Sequence, residues 1–426
     1  MPSRKSLVLG LVFCLAGAPL VYRLFTPAVD DKLAQSAVAT TGDERSSSAS
    51  GLPATVSDSG PETQLLGIFT AIEANRLGDA LLLTEALLRQ HPNYRLAHLI
   101  KGDLLLARAR PIDSFGAAID APADKVADLR AEAIVRLKAY RERPEDNFVP
   151  RYLLQMQPDQ RFAVVVDTQR SRLYLYENDV ANGGRPRFVA DYYVTQGKLG
   201  SDKYVEGDKK TPIGVYHVTA NLPRQKLADL YGSGAFPINY PNEWDRQRGR
   251  GGSGIWLHGT PSNTFARPPK ASDGCVVLTN QDLDAIAKNL QVGLTPVIIS
   301  PSVEWLSLDD WAKERDELNA SIAAWRQDWE SRDTDRYLKH YSPRFKAGGQ
   351  DFAAFAAQKR QVNAGKEWIK VKTDNLSVFR NPGAEEVVVV TFDQNYSSNN
   401  LTNQMKKRQY WQRENGKWKI IYEGSA

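Results

Sequence analysis

The sequence predicts a multidomain chain: an N-terminal helical segment, then a β-rich domain, then a C-terminal α+β domain. Three observations carry that expectation. At 426 residues the chain exceeds what one hydrophobic core usually holds. Its apolar periodicity changes from helical to alternating after Gln160. From Ser307 it turns helical again and then gives way to long alternating strands. The composition, 42% hydrophobic and 25% charged, is globular. A net charge of +5 spread along the chain is too mild for a nucleic-acid partner and suits a carboxylate-bearing substrate or matrix.

Residues 1–25 read as a signal anchor. Arg4 and Lys5 precede the uncharged run "SLVLGLVFCLAGAPLVY", which Arg23 closes, as in a secretory signal or an anchor. The run sits at the short end of a membrane span, roughly 17–25 residues. Pro19 disfavours cleavage after Ala18, and Phe13 disfavours lipidation at Cys14. An uncleaved inner-membrane anchor is therefore expected ahead of a cleaved signal, with the remainder periplasmic. Residues 26–62 lack aromatic side chains between Thr26 and Pro61 and read as a flexible linker. Residues 63–145 show apolar residues at three and four spacing. Ala80, Pro92 and Gly102 fall where tetratricopeptide (TPR) repeats favour such residues, so the segment resembles one and a half TPR-like repeats. A helical spacer and a partner-binding repeat both stay open.

"RERPEDNFVPRYLLQMQPDQ" reads as a Pro-rich break. Residues 160–301 then hold short strands, among them "RFAVVVDTQRSRLYLYEN", "GVYHVTA" and "TPVIISP", separated by long loops of the kind that carry function. In residues 307–426, Ser307 and Asp310 form a capping box, and Leu318, Ile322, Trp325 and Trp329 share one helix face as core. Long strands follow, and Asn415-Gly416 predicts the last hairpin.

Cys275 has no partner thiol outside the N-terminal run, although exported proteins generally use cysteines in pairs. That points to chemistry. A thiol becomes a nucleophile as thiolate, so it needs a base. The helix capped by Thr279 and Asp282 starts too far beyond Cys275 for its dipole to serve. His258, at the end of an apolar strand before Gly259, is the candidate; His217 reads as an ordinary strand residue. Gly274 permits a tight turn in which successive amides could face one oxyanion. Spacing alone leaves a buried structural cysteine open.

The ordered motifs "GDKKTPIGVYHV", "LYGSGAFPINYPNEWDRQRGRGGSGIWLHGTP" and "SDGCVVLTNQDL" resemble the YkuD-type L,D-transpeptidase family over about Arg161–Pro301. The resemblance implies a β-sandwich-like catalytic domain acting on peptidoglycan stem peptides. It makes Cys275 the nucleophile, His258 the base, the Gly259 carbonyl the group that orients the imidazole, and the Gly274 and Cys275 amides the oxyanion donors. Two positions depart from the family pattern: Asp273 replaces a histidine, and Val277 replaces an asparagine or arginine. Asp273 is expected to point outward or bond the local turn. The C-terminal "AWRQDWESRDTDRYLKHYSPRF" and its strands resemble a nuclear-transport-factor-like (NTF2-like, SnoaL-like) cone domain. The combination is similar to the cell-shape L,D-carboxypeptidases of curved and helical bacteria. The reading is an L,D-transpeptidase; an L,D-carboxypeptidase and a wall-binding protein with an idle site are the alternatives.

Substrate contacts are expected at Arg267, Lys270, Ser272 and Trp256, on or beside the arm that would close over the stem peptide. Arg246, Arg248 and Arg250 line either an acidic-peptide groove or a solvated loop; Lys209, Lys210 and Thr211 read as a structural turn. No metal-ligand spacing or phosphate-binding loop occurs, so neither cofactor nor metal is expected. A protein partner would use the helical or C-terminal domain.

Overall fold

The computed structural model describes residues 60–117, 121–142, 144–145, 147–383 and 385–426. The expected anchor, Cys14 and most of the linker lie outside the described residues. Among the described residues no helix is long and apolar enough to cross a membrane.

Two compact units divide after Leu137. The first holds helices α1 (Pro61–Glu73), α2 (Leu77–Gln90) and α3 (Arg95–Ala107) and most of α4 (Ala123–Arg141). Helix α1 starts two residues before the expected boundary because Pro61, with no amide hydrogen to lose, is tolerated in the first turn. Leu65, Ile68, Leu87, Leu96 and Ile100 form its buried stripe. Arg136 of α4 is buried against Glu132 and Glu62.

The second unit begins with a correction. The Pro-rich break contains strands β1 (Phe148–Pro150) and β2 (Leu153–Gln155). Three residues are too few to show alternation, so nothing local marks them as strands. There follow β3 (Phe162–Asp167), β4 (Arg172–Asp179), β5 (Arg185–Tyr193), β6 (Gln196–Gly197), β7 (Gly214–His217), β8 (Leu222–Pro223), β9 (Gly234–Pro237), α5 (Glu243–Gln247) and β10 (Trp256–His258). Then come β11 (Lys270–Ser272), β12 (Val276–Val277), α6 (Asn280–Ala287), β13 (Pro296–Ser300) and β14 (Trp305–Ser307). The main sheet is ordered β5-β4-β3-β13-β7, and a second runs β12-β10-β9-β8. Central β3 and β13 are almost wholly apolar because both faces are covered. On one face Val164, Val166, Val297 and Ile299 pack with Phe236, Leu257 and Val276 of the second sheet.

The remaining elements are α7 (Leu308–Glu330), α8 (Thr334–Leu338), β15 (Lys346–Ala347), β16 (Gln350–Asp351), α9 (Phe352–Ala364), β17 (Ile369–Arg380), β18 (Val387–Ser398), β19 (Leu401–Glu414) and β20 (Lys417–Ser425). The Ser307 hydroxyl caps α7 by accepting from the Asp310 amide at 3.2 Å. Asn415 and Gly416 both take the positive φ that a tight hairpin requires. This sheet is ordered β2-β17-β18-β19-β20, so its first strand comes from before the β-rich domain. Its inner face (Val388, Val390, Phe392, Trp411) packs on Leu318, Ile322, Trp325 and Trp329 of α7. Val389, Tyr410 and Ile421 on its outer face meet Val215 and Trp244 of the β-rich domain.

Candidate active site

Strands β10 and β12 are parallel, with Leu257 opposite Val276 and His258 opposite Val277. Leu257 and Val276 point into the core, fully buried. Alternation therefore puts His258 on the other face, and Cys275, one residue before Val276, on that same face. The two candidates, well separated in sequence, become diagonal neighbours on adjoining strands.

The imidazole is fixed by its backbone. His258 Nδ1 lies 2.7 Å from the Gly259 carbonyl oxygen. A carbonyl can only accept, so Nδ1 carries the proton and Nε2 keeps the basic lone pair. Tyr231 packs edge-on against the ring at 5.1 Å. Burial, aided by the positive charge of Arg267, holds His258 down to about 4 against the Gly259 bond. It is neutral at neutral pH.

The thiol is held by backbone as well. Cys275 Sγ donates to the Gly254 carbonyl at 3.3 Å. Burial pushes its pKa up; the Trp256 amide donating to sulfur and the charge of Arg267 oppose this. The resting pair is thus a protonated thiol and a neutral imidazole.

Two close approaches shape these turns. Gly274 has φ +130°, and a Cβ there would sit 2.7 Å from the Lys210 carbonyl oxygen. On the histidine side, Asn280 at the start of α6 accepts from the Ser233 amide at 2.9 Å and donates to the Thr260 carbonyl at 2.9 Å. A Cβ on Gly232 or Gly259 would collide with its Oδ1. Asn280 thereby clamps the segment that carries the Gly259 carbonyl to the one that carries Tyr231.

Comparison with known proteins agrees with this geometry. Residues 161–299 match the YkuD family, an L,D-transpeptidase catalytic domain, and residues 317–424 match the Cds6 C-terminal NTF2-like domain. Bd1075 of Bdellovibrio bacteriovorus is 30% identical, with 66% of this chain and 98% of that chain covered and a TM-score of 0.58. The chain belongs to the YkuD L,D-transpeptidase family. The helical cell shape determining protein Pgp2 from Campylobacter jejuni is similar at 25% identity, covering 70% of this chain and 99% of that one, TM-score 0.55. No curated protein matches the chain.

Within this YkuD domain several expected contacts find other employment. Ser272 is buried; its hydroxyl donates to the Cys275 carbonyl at 2.6 Å and accepts from the Gly274 amide at 3.2 Å. It shapes the turn that carries Cys275. The same bond occupies the Gly274 amide, so the expected pair of oxyanion amides is reduced. The arm between His258 and Cys275 is no free lid either. Tyr193 and Thr195 donate to the Arg267 carbonyl at 2.8 and 3.0 Å, and β11 pairs with β6.

Arg267 is half-buried, and burial lowers its pKa while Asp273 and Cys275 oppose this. Its guanidinium donates to the Ala271 carbonyl, and among the described residues no carboxylate forms an ion pair with it. Trp256 lies tilted against Tyr231, centroids 4.7 Å apart, at the edge of the site. Lys270 is exposed on β11. Asp273 points outward to Lys198 at 3.3 Å, and Val277 is buried, bonding Thr195 through its backbone.

The arginine loop is not loose. Arg250 pairs with Asp202 at 2.6 Å, Arg248 with Glu385 at 3.4 Å, and Arg246 donates to the Pro241 carbonyl at 2.5 Å. Thr211 accepts from the Gly197 amide at 2.9 Å, a structural duty. Among the described residues no cluster of three His, Cys, Asp or Glu has a metal-binding arrangement. The sequence reading missed Gly254, the Trp256 amide and Asn280. The first two act through backbone atoms, and asparagine at a helix start is too ordinary to stand out.

Proposed function

We propose that the protein is a peptidoglycan-modifying cysteine acyltransferase acting on tetrapeptide stems. Cys275 sulfur attacks the carbonyl of the diamino acid before D-alanine, and the thiol proton passes to His258 Nε2. The C–N bond breaks, D-alanine leaves with that proton, and a thioester remains. An amine of a neighbouring stem then forms a new C–N bond as the C–S bond breaks, and its proton returns to sulfur through His258. The observation that carries this reading is a protonated thiol beside a neutral, tautomer-fixed imidazole in a YkuD-family chain. The Cys275 amide is the oxyanion donor of this turn. Arg267 receives a substrate carboxylate, and Trp256 with Tyr231 forms an aromatic ledge beside it. The apolar run after Lys5 supports an exported, membrane-tethered enzyme.

A second reading has water resolve the thioester, an L,D-carboxypeptidase reaction. It is favoured by the likeness to Pgp2, named as a determinant of helical cell shape, over nearly the whole of that chain. Incubation of the full chain with disaccharide tetrapeptide and glycine, read by mass spectrometry, tests both. Glycine-exchanged stems or dimers are expected; tripeptide alone selects hydrolysis. A product pattern identical to that of Cys275→Ala overturns both.

A further inference from the structure

Away from Cys275, the catalytic sheet and the outer face of the C-terminal sheet do not close completely on each other. Between them lies a cleft of about 580 Å³ lined from both domains. That volume is in the range of small-molecule sites, about 300–1,000 Å³. Partly exposed Tyr422 gives it aromatic surface, with Tyr410 buried behind it against Trp244, and Arg246, Lys406, Arg408 and Glu243 give it charge. Arg408 is engaged by Glu243. Among the described residues neither Arg246 nor Lys406 forms an ion pair, and the terminal residue Ala426 is on the rim.

His217 of β7 lines the same cleft and registers its field. Burial is the main cause that brings this imidazole down to about 4; Arg408 and then Lys406 push the same way, and Glu243 opposes them. The lining thus combines cations in excess of their local acid with aromatic surface and a neutral imidazole that can donate or accept. A hydrated inorganic ion would leave the aromatic surface unused, whereas an organic anion would use both.

We propose that this cleft is a second binding site, for a small organic carboxylate, whose occupant bridges the catalytic and C-terminal domains. It is separate from the Cys275 site and stands or falls independently of the reaction there. Citrate is the probe and sulfate the control, at matched ionic strength. The histidine resonances of the full chain are titrated by NMR, with His217 assigned by the peak lost in His217→Gln. Citrate at about 10 mM, tenfold above a dissociation constant of about 1 mM, is expected to raise the His217 midpoint saturably by about one unit. The doubly substituted Arg246→Ala, Lys406→Ala chain should lose that response and keep Cys275 reactivity. Absence of a saturable shift in the wild type overturns the proposal. An equal shift with sulfate overturns the carboxylate assignment, and a shift that survives in the double variant overturns the location.

Discussion

The candidate active site around Cys275 and the seam that joins the C-terminal domain bury polar groups in opposite ways. Around Cys275 the partners are backbone atoms: the Gly254 carbonyl, the Trp256 amide and the Gly259 carbonyl. Among the described residues no ion pair fixes the ionic form of either group; half-buried Arg267 favours the thiolate, but burial outweighs it and keeps thiol and imidazole neutral. At the seam, Glu314 of α7 pairs with Arg380 of β17 and with Arg151, whose Nε lies 3.0 Å away. Arg380 is 4% exposed. There the charges are fixed by each other. Dipoles alone leave a group free to gain or lose a proton during a reaction, whereas a paired charge resists doing so.

The largest expected effect breaks the seam. Glu314→Ala leaves buried Arg380 only the half-exposed Glu386, 3.4 Å away, and should cost about 3 kcal/mol in urea unfolding. A loss near that of an exposed pair, about 0–1 kcal/mol, would remove the contrast.

At the catalytic centre, Asn280→Ala should slow formation of the acyl-enzyme about tenfold to a hundredfold, about 1.4–2.7 kcal/mol in the barrier. The melting temperature should move far less than in Glu314→Ala. Equal losses of rate and stability would make Asn280 a packing residue only.

The smallest effect is the sharpest test of neutrality. Because His258 is depressed to about 4, Cys275 acylation should persist as pH falls from neutral and decline only near that value. Stability should behave differently. The unfolded imidazole takes up its proton near its ordinary 6.5 while the native one does not, so stability falls as pH drops from 6.5 towards about 4. An acid limb of the acylation rate at 6.5 would mean that His258 is paired as at the seam.

Much of this was legible in the chain itself. The changes of periodicity marked the helical, β-rich and α+β regions, and the α7 stripe of Leu318, Ile322, Trp325 and Trp329 is buried as its spacing predicts. His258, Gly259, Gly274 and Cys275 stood out because side-chain chemistry and glycine are visible as letters. Ser272 was misplaced because a serine beside a cysteine looks the same whether its hydroxyl meets substrate or the turn.

What the sequence determined by itself was the local order of elements and the presence of the Cys275 thiol, the His258 imidazole and the glycines around them, since periodicity and side-chain chemistry belong to individual residues. Only the tertiary structure decided that β2 joins a sheet otherwise made at the far end of the chain, pairing with β17. It also decided that Asn280 clamps Gly259 and that the Trp256 amide meets the Cys275 sulfur. Those are meetings between distant segments, made largely by backbone groups that every residue carries alike.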